Sequence, residues 1–253
     1  MMVGLTRPDS GEVRYAGTRY TDLMNPARVV GAVLDARCMH PGRTAQDHLR
    51  ATAAMSGVPK SRVENVLAAV GLEPAAKQRA GGFSLGMRQR LALAGALLGN
   101  PEVLLLDEPA NGLDPDGIRW LRNYLRDFAD QGGTVFVSSH LISELEMFAD
   151  DLVVIGGGRL LAAESVATIT AANEVMVIVE TPQAGDLLTL LSAQGIQAET
   201  LDQQLVIHGA SRTDVSQIAF DNRIRLDRLS EASKSLEDSL LEMTGASAEF
   251  ASA

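Results

Sequence analysis

The most constraining feature of this sequence is a short apolar run that ends in two acidic residues. The run Val103 to Leu106 is followed directly by Asp107 and Glu108. A strand without alternating polar residues is typical of a parallel sheet that is covered on both faces. Ligands of open α/β sheets bind beyond the carboxyl ends of such strands. The run therefore predicts an α/β fold with Asp107 and Glu108 at the ligand-binding edge.

A carboxylate pair at the end of a strand has two interpretations. The first is a structural role in capping the next element, which we favour for an isolated Asp-Glu. The second is chemical: an aspartate there can hold the water shell of Mg²⁺, and the adjacent glutamate can polarise a water molecule that attacks a phosphate. The residues around the pair decide between these interpretations.

Strand and helix patterns alternate around this run, which predicts a largely parallel sheet. Ser84 and Asp114 are expected to be helix N-caps, and Ser61 and Glu64 have the spacing of a capping box. Helices are predicted over residues 44–55, 61–70, 84–98, 114–131 and 141–149, and strands over residues 12–15, 134–138, 152–155 and 159–161.

The pattern changes after about residue 173. Valines alternate with other residues at 175, 177 and 179, a helix is predicted over 185–194, and strands are predicted over 204–208 and 224–229. This arrangement predicts a small α+β module, roughly β-α-β twice over, that ends in a helix from Ser235 to Met243. We place the boundary near residues 165 to 173. The result is a first domain of residues 1–168 and an accessory domain of residues 173–253.

Composition and charge argue against several functions. The net charge of -10 and the pI near 4.9 argue against binding to nucleic acid, which needs an excess of Lys and Arg. No apolar run approaches the roughly 20 residues that span a bilayer, so we expect any membrane attachment to come through a partner protein. The single cysteine, Cys38, has no second thiol for an intrachain disulfide, and we expect a structural role for it.

Three further segments stand in a fixed order around the carboxylates. Ser84-Leu85-Gly86-Met87 begins a predicted helix, whose first turn offers backbone N–H groups to an anion. Asn111 to Asp114 follows the carboxylates, and His140 follows the strand predicted over 134–138. Each segment alone is weak evidence, because an isolated serine cap or histidine is usually structural. Together and in this order they form a set whose chance occurrence is remote.

In this order the segments resemble the motifs of the ABC ATPase family. Ser84 to Met87 resembles the signature motif, in a form often met in exporters of drugs and antibiotics. The strand that ends in Asp107 and Glu108 resembles the Walker B strand. Asn111 to Asp114 looks like the D-loop, and His140 matches the switch histidine. The resemblance covers about residues 1 to 165, and residues 235–245 are similar to the ending of the same exporter-type subunits.

The resemblance implies a P-loop-NTPase-like α/β domain with a helical signature subdomain, and a chain that uses ATP and Mg²⁺. Glu108 would activate water, His140 would contact the γ-phosphate and Asp107 would serve the metal. The family also implies a head-to-tail homo- or heterodimer bound to a membrane-embedded permease, on the cytoplasmic side of the cell membrane. Nucleotide binding would also involve Ser84, Leu85, Gly86, Met87 and Asp114. The signature motif would complete the site of the opposing subunit.

The sequence departs from the family pattern at two places. No Gly-x-x-x-x-Gly-Lys-Ser/Thr occurs in the 253 residues, so we expect the chain to begin just after the phosphate-binding P-loop, with about 45 residues missing by analogy with the family. Asp35 stands where the family commonly has the glutamine of the Q-loop, and we assign it to the nucleotide site because a carboxylate can still approach a Mg²⁺ shell.

The missing loop has energetic and structural consequences. Loss of three of its charge-assisted hydrogen bonds to phosphate would cost at least ~4 kcal/mol, about a thousandfold in affinity. We also expect the missing segment to supply a strand beside the Walker B strand, so that its absence leaves an apolar edge of that strand unpaired.

Two main hypotheses follow from the missing loop. The chain is either an exporter ATPase subunit with a misplaced start or a degenerate, non-hydrolysing subunit that lends its signature to an intact partner. Translation of the DNA upstream of Met1 separates them. A DNA-repair ATPase of the same superfamily is disfavoured by the acidic charge and by the absence of a coiled-coil insertion.

Overall fold

The structure of this protein is a computed structural model that describes residues 1–36, 39–171, 175–201, 204–233, 236 and 240. Contacts within the chain separate Met1–His140 from Leu141–Ala253. Cys38 lies outside the described residues, as does the predicted helix over 235–243 apart from Leu236 and Leu240. The domain boundary that the sequence places between residues 168 and 173 stays a prediction.

The first unit, Met1–His140, contains five strands and five α-helices among its described residues. Most of them fall where the sequence predicts them, within one or two residues. They are β1 (Arg14–Tyr15), β2 (Thr18–Arg19), α1 (Pro26–Val29), β3 (Val30–Val33), α2 (Ala45–Met55), α3 (Arg62–Ala69), α4 (Leu85–Leu97), β4 (Val103–Asp107), α5 (Pro115–Asp130) and β5 (Thr134–Ser138).

The central sheet of this unit is parallel, with strand order β3-β4-β5. Leu104, Leu105 and Leu106 of β4 are buried, which confirms the prediction of a strand covered on both faces. The expectation that β4 lacks a neighbouring strand is wrong, because β3 pairs with one side of β4 and β5 with the other. In the described part of the chain, the sheet instead has its two edges at β3 and β5.

Helix α4 packs against β3 at a point where only glycine fits. A Cβ atom at Gly31 would overlap the backbone carbonyl oxygen of Ala96 and would lie 3.0 Å from Leu104 Cδ2. The same helix is tied to α5 and to the end of α3 by Arg90. Its guanidinium lies 3.9 Å from the Trp120 ring centroid, and its Nη1 donates to the Val70 carbonyl at 3.0 Å. These contacts fix α4 relative to the sheet.

Two of the three predicted caps are confirmed. Ser84 Oγ accepts from the Met87 N–H, and Asp114 Oδ1 accepts from the Gly117 N–H. The predicted capping box at Ser61 is wrong, because Ser61 has helical backbone angles and its side chain makes no capping hydrogen bond. The chain already turns before α3, where the N–H of Arg62 donates to the Pro59 carbonyl, so Ser61 does not have the extended backbone of an N-cap.

The second unit, Leu141–Ala253, begins with α6 (Ile142–Glu146), an antiparallel pair of strands and a short helix. The remaining elements form a four-stranded antiparallel sheet with two helices. Within the described residues, no helix combines the length and apolarity that a membrane crossing requires. The elements after α6 are β6 (Asp151–Gly156), β7 (Arg159–Ser165), α7 (Val166–Ala171), β8 (Val175–Glu180), α8 (Ala184–Ala193), β9 (Gln197–Leu201), β10 (Gln204–His208), α9 (Arg212–Asp221) and β11 (Arg228–Ser233).

Residues 175–233 follow the order β-α-β-β-α-β, with strand order β11-β8-β10-β9 in the sheet. This is a split β-α-β arrangement, which agrees with the small α+β module predicted here, although the strand β9 is missing from the prediction. Val177 and Val179 are buried with Leu187 of α8. The strand predicted over 224–229 lies later, at Arg228–Ser233. Arg223 has φ 57°, and the Ile224 N–H donates to the Ala219 carbonyl, so this segment closes α9 before the strand begins.

We predict that Gly31→Ala lowers the free energy of unfolding by about 1 to 3 kcal/mol, because the added methyl group overpacks the contact between β3 and α4. Urea denaturation followed by circular dichroism measures this change. Gly95→Ala, in the same helix α4, is the matched control. A Cβ atom at Gly95 has no neighbour within 4 Å among the described residues, and the helix should gain up to about 1 kcal/mol. Equal stability of the two variants would contradict this packing.

Candidate functional site

The predicted carboxylate edge lies where β4 and β5 end together. Asp107 is the last residue of β4 and pairs in register with Ser138, the last residue of β5. The Ser138 hydroxyl donates to Asp107 Oδ1 at 2.6 Å. This short bond to an ionised acceptor is among the stronger kinds of side-chain hydrogen bond. It holds the Asp107 carboxylate in one orientation at the end of the sheet.

Glu108 has a strained backbone directly after β4. Its φ of 46° lies in the left-handed region, which non-glycine residues seldom adopt. The Glu108 N–H donates to the Ser138 carbonyl at 3.2 Å and to Ser138 Oγ at 3.0 Å, while the Asn111 N–H donates to the Glu108 carbonyl. Such strain persists only where the surroundings hold it, and it is concentrated at functional sites. Glu108 is therefore held in place by its neighbours at both backbone groups.

The Glu108 side chain contacts His140, two residues after β5. His140 Nδ1 lies 2.8 Å from Glu108 Oε2. An ionised carboxylate only accepts hydrogen bonds, so the Nδ1–H of His140 donates in this contact, and Nε2 takes no part in it. The histidine side chain is 62% exposed and the glutamate side chain 34% exposed. The pair is thus accessible to a ligand from solution.

The first turn of α4 lies against the segment that follows Glu108. A Cβ atom at Gly112 would overlap Leu85 Cδ2, and Gly112 has φ +72°, so glycine is needed there on both counts. A Cβ atom at Gly86 would lie 3.5 Å from Leu113 Cδ2. The Ser84-Leu85-Gly86 segment is therefore in contact with the Asn111–Asp114 segment of the same chain.

Gln89 forms a second link between α4 and the carboxylate edge. Its side chain is buried, with 8% exposed, and its Nε2 donates to the Pro109 carbonyl at 2.6 Å. Pro109 directly follows Glu108 and is also buried. Because a buried carbonyl without a donor is costly, this hydrogen bond stabilises the turn that presents Glu108.

The predicted site residues thus fall into two groups. Asp107, Glu108 and His140 lie together at the ends of β4 and β5, with Ser138 between them. Ser84, Leu85, Gly86 and Met87 begin α4 beside residues 111–114, and Asp114 is occupied as the N-cap of α5. Asp35 is exposed two residues beyond the end of β3, the other neighbour of β4.

Two residues at the site are missing from the sequence predictions. Ser138 is the last residue of the strand predicted before His140, and Gln89 lies within the helix predicted to begin at Ser84. Neither is among the predicted site residues. The sequence pattern could have identified Ser138, since a polar residue at the end of a strand beside β4 should lie at the same edge of the sheet as Asp107. Gln89 had a weaker signal, because a polar residue on an otherwise apolar helix face is a candidate for a buried hydrogen bond.

The donor set at this edge suits a hard cation that keeps other ligands. The described residues contain no group of three or more His, Cys, Asp or Glu that could hold a metal ion by itself. Asp107 offers a carboxylate oxygen beside a hydroxyl group. Mg²⁺ is typically held by one or two carboxylates together with water and substrate phosphates. The residues present therefore fit Mg²⁺ bound together with a phosphate group.

Comparison with protein families agrees with this arrangement. Residues 1–111 match the family described as ABC transporter. Residues 175–237 match a second family, described as a domain of unknown function (DUF8746). The second match coincides with the four-stranded sheet of β8 to β11.

Individual relatives resemble longer stretches of the chain. The uncharacterized ABC transporter ATP-binding protein YhcH of Bacillus subtilis (strain 168) is 33% identical over 248 residues, which are 97% of this chain and 81% of that protein. The bacitracin transport ATP-binding protein BcrA of Bacillus licheniformis is 38% identical over 164 residues, 64% of this chain and 54% of that protein. The structure of cbiO1 from Clostridium perfringens, described as part of the ABC transporter complex cbiONQ, is 25% identical with a TM-score of 0.59. It covers 68% of this chain and 72% of that chain.

We predict that Gln89→Leu lowers the free energy of unfolding by about 1 to 3 kcal/mol, since it leaves the buried Pro109 carbonyl without its donor. The measurement is urea denaturation of both proteins. Gln78→Leu makes the same chemical change at an exposed position and should alter stability by less than about 0.5 kcal/mol. A Gln89→Leu protein as stable as the control would mean that this hydrogen bond does not support the turn.

Proposed function

Because this chain belongs to the family of ABC transporter ATP-binding proteins, we propose that it is the nucleotide-binding subunit of an exporter and couples ATP hydrolysis to transport of a small molecule or peptide. The observation that carries the proposal is the cluster of Asp107, Glu108, Ser138 and His140 at the ends of two parallel strands. It combines a metal-binding carboxylate, a base and a histidine within one edge of the sheet.

Asp107 is the residue that would hold Mg²⁺, through water or directly. Its Oδ1 is engaged by the Ser138 hydroxyl, so Oδ2 is the oxygen that would remain for the metal or its water. ATP would supply the γ-phosphoryl group, and bound Mg²⁺ would neutralise part of its negative charge.

Glu108 orients the attacking water and accepts its proton. The strained backbone fixes the start of its side chain, and the His140 Nδ1–H holds Oε2, which leaves Oε1 for the water. The same contact places a hydrogen on His140 Nδ1, so His140 donates to the γ-phosphate through Nε2 only when that nitrogen also carries a hydrogen, as in the imidazolium. Donors that are already in position need no reorganisation during the reaction, which is the main source of catalysis in phosphoryl transfer.

The first turn of α4 serves a second nucleotide, bound to an opposing subunit. Ser84, Leu85, Gly86 and Met87 begin the helix, whose first N–H groups favour an anion. The contact between Leu85 and Gly112 couples this turn to residues 111–114, including Asp114. Movement at one nucleotide is therefore transmitted to the segment behind Glu108. Asp35, two residues beyond the end of β3, is a further acidic residue that we assign to the nucleotide site.

The 253 residues contain no Gly-x-x-x-x-Gly-Lys-Ser/Thr. The described chain thus contributes the Walker B, switch and signature parts of the site. The similar protein cbiO1 is described as part of a transporter complex, which supports a membrane-embedded permease as partner. We place the subunit on the cytoplasmic side of the membrane, docked to that permease, in a homo- or heterodimer of ATPase subunits.

We predict that Glu108→Gln lowers kcat for ATP hydrolysis by about 10² to 10⁴, because it removes the base while keeping the shape of the side chain. The assay is phosphate release by the assembled transporter that contains this chain. Binding of a fluorescent ATP analogue, measured on the same samples, should remain within about threefold of wild type, since glutamine keeps a hydrogen-bonding side chain without charge.

Glu64→Gln is the matched control, since Glu64 lies exposed on α3. It should retain the wild-type rate. Hydrolysis by the Glu108→Gln transporter at the wild-type rate would overturn the catalytic assignment. That result would instead favour a subunit that lends its signature to an intact partner, because ATP would then be hydrolysed at the partner's site.

A further inference from the structure

The Ser138 side chain contacts both members of the carboxylate pair. Its Oγ donates to Asp107 Oδ1 at 2.6 Å and accepts from the Glu108 N–H at 3.0 Å. A hydroxyl group has one hydrogen to donate. Since the hydrogen points to Asp107, a lone pair is directed to Glu108, and the two bonds fix each other.

The Glu108 end of this link is the strained one. The residue has φ 46°, and its N–H is shared between Oγ and the carbonyl oxygen of Ser138. Loss of Oγ would leave only the 3.2 Å bond to the carbonyl. The left-handed backbone would then have less support, and the direction of the glutamate side chain depends on that backbone.

The Asp107 end determines which carboxylate oxygen is free for other ligands. With Oδ1 held by the hydroxyl, rotation of the carboxylate is restricted. Two residues further along, His140 holds the Glu108 carboxylate. The short segment from Ser138 to His140 therefore restrains Asp107 at its carboxylate and Glu108 at both its backbone and its side chain.

We propose that Ser138 is a positioning residue for ATP hydrolysis: its hydroxyl group orients the Asp107 carboxylate and stabilises the left-handed backbone of Glu108 in one step. This inference rests on the proposed function for its catalytic consequence. The required chemistry is a group that donates and accepts at one atom, next to the backbone, on a β-strand. Serine and threonine meet this requirement, whereas alanine keeps the strand and loses both bonds.

The test compares Ser138→Ala, Ser138→Thr and the control Thr134→Ala, which changes a hydroxyl residue at the exposed start of the same strand. The first readout is NMR of the isotope-labelled 253-residue chain. Ser138→Ala should shift the Glu108 amide and the Asp107 carboxylate carbon, Ser138→Thr should return both toward wild type, and Thr134→Ala should move neither.

The second readout is steady-state ATP hydrolysis by the assembled transporter. Ser138→Ala should lower kcat about tenfold to a hundredfold, the range for loss of a hydrogen bond to a charged group. KM for ATP should change less than about twofold, because the hydroxyl group acts through Asp107 and Glu108 and is not itself assigned to nucleotide binding. Ser138→Thr should recover most of kcat.

The inference is overturned if Ser138→Ala leaves the resonances of the Glu108 amide and the Asp107 carboxylate carbon unchanged. It is also overturned if Ser138→Thr does not restore these resonances together with kcat. The NMR readout decides the hydrogen-bonding role without any hydrolysis. A wild-type transporter that does not hydrolyse ATP would therefore count against the proposed function, and the resonances would still test Ser138.

Discussion

The register between β4 and β5 determines how the reactive groups of this chain are brought together. Asp107 pairs with Ser138 across the parallel ladder, so the carboxylate pair at the end of one strand meets a hydroxyl and a histidine at the end of the next. Side chains alternate between faces, so a shift of one residue would turn Ser138 away from Asp107. The buried leucines of β4 hold this register, because they fill the sheet from both faces.

Helix α4 extends the same arrangement to a second part of the molecule. Gln89 holds the carbonyl of Pro109, directly after Glu108, and Leu85 lies on Gly112. The first turn of α4 and the turn behind Glu108 are therefore parts of one packed unit.

The sequence predicts the strand β4 and the caps at Ser84 and Asp114 from local pattern, and it predicts the grouping of Asp107, Glu108 and His140 from the resemblance to a known family. It fails where tertiary context decides. The neighbours of β4 depend on which strands lie beside it, so the expected unpaired edge was wrong. The helical backbone of Ser61 depends on the preceding turn. The left-handed Glu108 and the double contact of Ser138 depend on distances between strands that no local pattern encodes.

The measurement that tests this account most directly is a double-mutant cycle on single-turnover ATP hydrolysis, with Glu108→Gln, His140→Ala and the combined variant in the assembled transporter. If the two residues act as one unit, as their 2.8 Å contact implies, the double variant should be no more than about twofold slower than the slower single variant. Rate losses that multiply would mean that Glu108 and His140 act independently, and would contradict a single catalytic cluster at the ends of β4 and β5.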